Sequence, residues 1–383
     1  MSARTPDSRL PHVGTTIFSV MSALAQAHGA VNLGQGFPDF DCDPALVDAV
    51  TAAMRAGHNQ YPPMAGVPAL RDAVSAKVEG LYGRHYDPVA EATITAGATQ
   101  AILTAVLALV HPGDEVIVLD PCYDSYAPNI VLAGARPVHV PLKAADFRPD
   151  FDAIGAALGP RTRAIVVNTP HNPSASVWTA SDMQALDALL RDTDVLVIAD
   201  EVYEHMVFDG AVHESVSRHP GLADRAVVVS SFGKTFHVTG WKVGTVVAPA
   251  ALMAEFRKVH QFNVFSVNTP MQHALAQHLA DPAPYLGLPA FYQRKRDLFR
   301  EGLARTRLRL LPSQGTYFQC VDYSAVSDLP EEAFCRWLTT EVGVAAIPLS
   351  AFHADGRDSR LARFCFAKRD ETLHAALQRL AVL

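Results

Sequence analysis

The chain has 383 residues, 49% of them hydrophobic, and a formal net charge of −7. That is enough length and apolar content for a large core and two domains, while the acidic balance and the lack of a basic run argue against nucleic acid as the main partner. Five cysteines, odd in number and without a CxxC pair, suit free thiols in a reducing compartment.

Residues 1–8 lack the apolar stretch of a signal peptide, and the apolar run 101–110 is short for a bilayer and broken by Thr104. A cytoplasmic protein with no membrane partner is expected. Sixteen histidines form no His-Glu-x-x-His or similar cluster, so no metal is expected. Gly34-Gln-Gly36 begins a dinucleotide fingerprint, but Asp39 stands where the third glycine belongs.

From about residue 45 to 280, strand-like runs alternate with amphipathic stretches, the pattern of an α/β fold. A helix is expected over 69–81, behind Pro68. Ala92-Thr-Ile-Thr95 reads as a strand, and Gly97-Ala-Thr-Gln100 then opens a helical pattern carrying Ile102, Val106 and Leu109. Ala98 and Thr99 thereby offer backbone amides and a hydroxyl at a helix N-terminus, a seat for a phosphate. Val116-Ile-Val-Leu119 is the next strand, followed by Asp120-Pro-Cys-Tyr123. Tyr123 can cover one face of an aromatic ring by offset stacking, although a loop tyrosine alone reads as surface packing.

Ala164-Ile-Val-Val167 precedes Asn168-Thr-Pro-His-Asn-Pro173, where two prolines fix the loop and aim the Asn172 amide. An isolated Asn-Pro is ordinarily just a turn. A helix over 181–191 follows Thr179-Ala180, and then Val195-Leu-Val-Ile-Ala199 reads as a central parallel strand ending at Asp200, with Tyr203 three residues on. A carboxylate held at the sheet's rim can keep a pyridine nitrogen protonated and so create an electron sink. The plainer role for such an aspartate is a helix N-cap or a turn.

The most informative segment is Ser231-Phe-Gly-Lys-Thr-Phe-His-Val-Thr-Gly-Trp-Lys242, which follows the apolar run 226–230. Ligands in open α/β sheets collect past the carboxyl ends of strands. Ser231 and Lys242 supply a hydroxyl and a fixed cation for one anionic group, leaving Lys234 free for covalent work. An amine on a flexible stem, its pKa lowered by burial or a neighbouring cation, forms an imine readily. The set suits an aldehyde carrying a phosphate, namely pyridoxal 5′-phosphate. A loop lysine by itself is ordinarily a solvated charge, and Gly233-Lys234-Thr235 only imitates a Walker A end, because position 228 holds valine.

Too few residues separate that strand from Val243-Gly-Thr-Val-Val-Ala248 for a crossover helix, which predicts one antiparallel strand in an otherwise mainly parallel sheet. After Asp281-Pro-Ala-Pro284 the pattern changes to a polar helix over 289–303 and strands near 315–322 and 363–367, a smaller α+β domain. Arg363 alternates with apolar neighbours at strand spacing, and a guanidinium there can grip a carboxylate through two parallel hydrogen bonds. Arg360, Lys368 or a plain salt bridge remain alternatives.

Together these segments resemble the class I aminotransferases of pyridoxal-phosphate fold type I over nearly the whole chain. Val31-Asn-Leu-Gly-Gln-Gly-Phe-Pro-Asp-Phe40, Asn59-Gln-Tyr61, Gly315-Thr-Tyr-Phe318 and Gly343-Val-Ala-Ala-Ile-Pro-Leu349 further resemble the kynurenine aminotransferase/glutamine transaminase K group. The resemblance implies an N-terminal segment (1–45) joining a small α+β domain (281–383), and a large cofactor domain (46–280) around a mainly parallel, mixed seven-stranded sheet. It makes Lys234 the Schiff-base lysine, Asp200 the pyridinium partner, Tyr203 and Asn172 the O3′ partners and Tyr123 the stacking ring. Ala98, Thr99, Ser231 and Lys242 then hold the phosphate, with Tyr61 reaching the phosphate of the neighbouring subunit of a homodimer. Gly36 and Arg363 bind the substrate's carboxylate end, and Phe18 and Phe265 line its side-chain pocket.

The implied activity is ping-pong transfer of an amino group from an L-amino acid (methionine, aromatic or kynurenine-like) to a 2-oxo acid. A cysteine-S-conjugate β-lyase on the same scaffold, needing the same lysine and electron sink, is the alternative. Two departures stand out. Many relatives have glycine two residues after the Asn-Pro, whereas this chain reads Asn172-Pro-Ser-Ala175 and lacks glycine's backbone freedom there. Position 266 is serine where some relatives place a histidine.

Overall fold

The computed structural model describes residues 7–383. Helix Ile17–Ala27, capped by the Thr16 side chain accepting from the Ser19 N–H, leads into the short strand β1 (Val31–Asn32). Seven strands then build the main sheet: β2 (Ala92–Thr95), β3 (Glu115–Asp120), β4 (Arg136–Pro141), β5 (Thr162–Asn168), β6 (Leu196–Asp200), β7 (Ala226–Ser231) and β8 (Gly244–Val247). Their spatial order is β2-β8-β7-β6-β5-β3-β4. The pairings among β3, β4, β5, β6 and β7 are all parallel, and β8 runs antiparallel to both its neighbours. The expected antiparallel strand is there for the expected reason. Between β7 and β8 the chain makes only the helical turn Phe232–Thr235 and the 3-10 turn Thr239–Trp241, which cannot cross the sheet.

Both faces of the sheet are covered, which is why its strands read as continuous Val/Ile runs. Val116 and Val118 pack with Ile102 and Val106 of helix Ala98–Leu109 on one side, while Ile117 and Leu119 join Ile165, Val197, Met183 and Leu186 on the other. This is the period-2 alternation of a pleated strand. The expected helices are found as Pro68–Tyr82, stopped by Gly83 at φ 75°, and Ala180–Leu190, started by a capping box between Thr179 and Asp182.

The C-terminal part contributes β9 (Arg309–Leu310), β10 (Phe318–Asp322), β11 (Val344–Ala345), β12 (Ile347–Pro348) and β13 (Leu361–Cys365). Four of them form an antiparallel sheet in the order β12-β13-β10-β9. Its polar helix spans Leu288–Leu303. β11 pairs in parallel with β1 and so ties the N-terminal segment to this part. Among the described residues no helix is long and apolar enough to cross a membrane, and all five cysteines are free thiols.

Candidate active site

A cavity of about 560 Å³ opens past the carboxyl ends of the main-sheet strands, walled on its far side by Phe318 and Arg363 of the C-terminal part. All the site residues expected from the sequence line it except Tyr61 and Phe265.

Lys234 sits in the single helical turn after β7. Its Nζ donates to the Tyr317 hydroxyl at 2.8 Å and to the Gly36 carbonyl at 3.2 Å, and Tyr317 in turn donates to that carbonyl. Burial is the main force on this amine, lowering its pKa to about 8. Cys365 and Asp200 oppose the shift and the charges of Arg363 and Lys242 assist it. Asp200 closes β6 and is buried. Its carboxylate accepts from the Tyr126 hydroxyl at 2.6 Å and the Val202 N–H at 3.3 Å. Burial pushes its pKa up to about 6, against those two donors and the charge of Lys234.

A chain of hydrogen bonds links Asp200 to the opposite wall. Asn168 donates to the Asp200 carbonyl and accepts from the Asn172 N–H, both at 2.8 Å, and the Asn172 side-chain oxygen accepts from Arg363 at 2.6 Å. Arg363 is 1% exposed. Its guanidinium lies 3.9, 4.8 and 5.4 Å from the ring centroids of Phe318, Phe352 and Phe18. The hydrogen bonds it makes go to neutral oxygens, of Asn172 and Gly34, and its Nε has no partner. A buried cation left in this state has room and reason to take a carboxylate. The alternatives turn elsewhere: Arg360 pairs with Asp328 at the surface, and Lys368 donates to the carbonyls of Phe37 and Gln35.

The anion seat forms where β8 meets helix Ala98–Leu109. Gly97 stands at φ 80° before the helix, whose N-terminus carries no side-chain cap. Lys242, at φ 55°, lays its side chain so close that a Cβ on Gly97 would lie 3.5 Å from its Nζ. Gly244 lets the backbones approach, since a Cβ there would meet the Ala98 nitrogen at 3.0 Å and the Ser230 carbonyl at 2.9 Å. Ser231 caps nothing with its hydroxyl and lines the cavity. These uncapped amides, free hydroxyls and one cation fit a phosphate, and the remaining donor set fits the rest of pyridoxal 5′-phosphate. Lys234 suits its aldehyde, Asp200 its ring nitrogen, and Tyr203, Asn172 and Tyr123 its ring. Burial raises the phenol pKa of both Tyr123 and Tyr203, so both are hydroxyl donors at neutral pH.

Phe265, expected at the side-chain pocket, does not line the cavity of its own chain. The chain turns at φ 68° there, and the ring packs edge-to-face on Tyr61 with centroids 5.2 Å apart. Tyr61 is 79% exposed and Phe265 51%. The missing glycine has a structural consequence too. Ala175 occupies φ 63°, because its N–H must reach the His171 carbonyl while its own carbonyl accepts from Gln314 and Gly315.

Sequence reasoning missed Tyr126, Asn168 and Tyr317. Tyr126 lies three residues beyond Tyr123, a spacing that places both rings near one loop, and their centroids are 5.7 Å apart. Tyr317 lies inside the Gly315-Thr-Tyr-Phe318 segment already singled out, but only tertiary contact reveals what it does.

A family model for aminotransferase class I and II matches residues 29–380. The chain is 54% identical to methionine aminotransferase of Escherichia coli (strain K12), over 99% of this chain and 98% of that one. A solved Escherichia coli structure described as having a methionine aminotransferase function superposes with a TM-score of 0.98, covering 99% of this chain and 100% of the other. N-Succinyldiaminopimelate aminotransferase from Mycobacterium tuberculosis is 43% identical with a TM-score of 0.95, covering 99% and 100%. Kynurenine–oxoglutarate transaminase 1 of Rattus norvegicus is 34% identical over 99% and 98%. The likeness spans the main sheet, the lysine turn and the strand carrying Arg363 alike, so the chain belongs to the class I and II aminotransferases, enzymes that work with pyridoxal 5′-phosphate.

Proposed function

We propose that this aminotransferase takes methionine, aromatic or kynurenine-like L-amino acids as donors and passes their amino group to a 2-oxo acid at the same site. The observation that carries the reading is Arg363, a buried guanidinium without a carboxylate partner, facing Lys234 across one cavity. Arg363 binds the substrate α-carboxylate, with Asn172 holding the guanidinium and Gly36 offering its backbone beside it.

When bound, the cofactor supplies an aldehyde for amine exchange and a ring that accepts electrons from the substrate's α-carbon. Lys234 Nζ, neutral above about pH 8, accepts the proton from the substrate Cα. Tyr317 and the Gly36 carbonyl keep that nitrogen over the cavity. Asp200 carries a negative charge that would pair with the ring nitrogen, and Tyr126 stabilises that charge. The second half-reaction uses the same residues in reverse on a 2-oxo acid.

The substrate class follows from the lining. Phe18 and Phe318 provide an aromatic wall. Of the charged side chains there, Asp200, Lys234, Lys242 and Arg363 are already assigned and the remaining one is an acid, Asp124. Among the described residues of this chain no cation is left at the cavity for an acidic side chain, which supports neutral donors. The 54% identity to methionine aminotransferase supports the same class. An apolar slot separates related side chains by only about 1–3 kcal/mol per methylene, so specificity is broad.

The exposed pair Tyr61 and Phe265 supports a homodimer in which both enter the partner's site, Tyr61 at the phosphate and Phe265 at the side-chain pocket. The pairing of β1 with β11 supports the division into segment 1–45, large domain 46–280 and small domain 281–383. A cytoplasmic location completes the reading.

The deciding experiment is a panel of amino donors against several 2-oxo acids, comparing initial rates. Aspartate or glutamate outrunning methionine and the aromatics by a large factor would refute the substrate class. Pyruvate release from a cysteine conjugate without added oxo acid would instead favour the β-lyase.

A further inference from the structure

Asp120 ends β3 and opens the loop that carries Tyr123. Its buried carboxylate is held from the C-terminal part, by His353 Nδ1 at 2.7 Å and the Ala354 N–H at 2.9 Å. Arg357 lies at 3.6 Å, and His139 approaches from β4 at 3.5 Å. Burial alone would raise the pKa of Asp120, but the nearby His139 and the hydrogen bonds from His353 and Ala354 more than reverse this and keep it ionised. Two residues along, the Cys122 N–H donates to the Phe352 carbonyl at 3.0 Å.

The segment 352–357 that makes these bonds is itself fixed. Buried Glu331 accepts from the backbone N–H groups of Ser350, Ser359 and Leu361 around it. Phe352 then lays its ring 4.8 Å from the Arg363 guanidinium and 5.7 Å from the ring of Phe18. One short segment therefore grips the Tyr123 loop on one side and braces Arg363 on the other. Asp120 also belongs to two groups of potential metal ligands among the described residues, with Cys122 and His139 and with His353 and Asp355. Both of its oxygens already accept hydrogen bonds, from His353 and the Ala354 N–H.

We propose that His353 is a positioning residue for transamination: through Asp120 it fixes the distance between the Tyr123 loop and Arg363. The proposal rests on the aminotransferase reading above. It differs from a merely structural role in predicting a change in substrate binding that depends on the hydrogen bond and not on the bulk of the side chain.

The test compares His353→Leu with His353→Asn, which keeps a donor near the place of Nδ1. In the holoenzyme His353→Leu raises KM for methionine about tenfold and leaves kcat within about threefold, while His353→Asn stays within about twofold in both. Hydrogen exchange of the backbone amides of 122–126 accelerates in the leucine variant only. A leucine variant with normal KM and normal protection of that loop overturns the proposal, as does an equal loss in both variants. If the leucine variant does not fold, Asp120→Asn is read by the same two measurements. Should the native enzyme not accept methionine, the donor assignment fails, and the exchange measurement still decides whether His353 holds the loop.

Discussion

Tyr126 donates its hydroxyl to the carboxylate of Asp200 at 2.6 Å, with both side chains buried. This bond works against the burial that has already brought the Asp200 pKa up to about 6. Removing it raises that pKa further, because the ionised form loses a donor. In Tyr126→Phe a larger fraction of Asp200 is protonated at neutral pH, and kcat falls about tenfold or more, as expected for a lost hydrogen bond to a buried charge. The acid limb of the pH–rate profile moves to higher pH, and an unchanged profile would contradict the arrangement.

Lys234 yields a prediction for the apoprotein. Its pKa of about 8 lies below the ordinary 10.5, so the unfolded chain binds the extra proton between those values and stability rises with pH across that window. Below it, the buried ammonium costs stability. Lys234→Met, uncharged and similar in length, should melt higher than the native apoprotein at pH 7, with the gap closing towards pH 10. Reductive methylation of Lys234, followed by mass spectrometry, should show an apparent pKa near 8. Lys234→Ala should abolish turnover.

Ala175 holds a backbone conformation that suits glycine. At φ 63° its Cβ crowds the neighbouring carbonyl, a strain that Ala175→Gly removes at the cost of a more flexible unfolded chain. The net gain is about 0.5–1 kcal/mol, visible as a shifted denaturation midpoint with kcat unaltered. Ala175→Val should move the midpoint the other way.

The partner contribution of Tyr61 can be tested by complementation. Subunits carrying Lys234→Ala and subunits carrying Tyr61→Ala are each impaired. If Tyr61 crosses the interface, a hybrid dimer contains one site with a native Lys234 and a native Tyr61. Mixing and refolding the two variants should then restore activity towards one native site per hybrid dimer. No gain over the separate variants would place Tyr61 in its own subunit's site or in none.

The main sheet was legible because runs such as 116–119 and 195–199 are apolar on both faces, and the short link between 231 and 243 forbids a crossover. The residues after those strands, Tyr123, Asn172, Asp200 and Lys234, were legible because each has a reason to lie at a strand's end. Tyr126, Tyr317 and His353 were not. What they do depends on contacts across 74, 83 and 233 positions of chain, and no local pattern encodes such distances. Phe265 lies outside the cavity of its own chain, and a likeness in sequence to a pocket residue carries no information about subunits.

The reversed direction of β8 has a further effect. Gly244 at its start lies beside Ser231 of β7 and Thr95 of β2, so Lys234 and Lys242 sit within one hairpin at one rim. Had this strand run with the others, its leading end would lie at the opposite edge and Lys242 with it. As built, one short link between β7 and β8 anchors both lysines at the same rim.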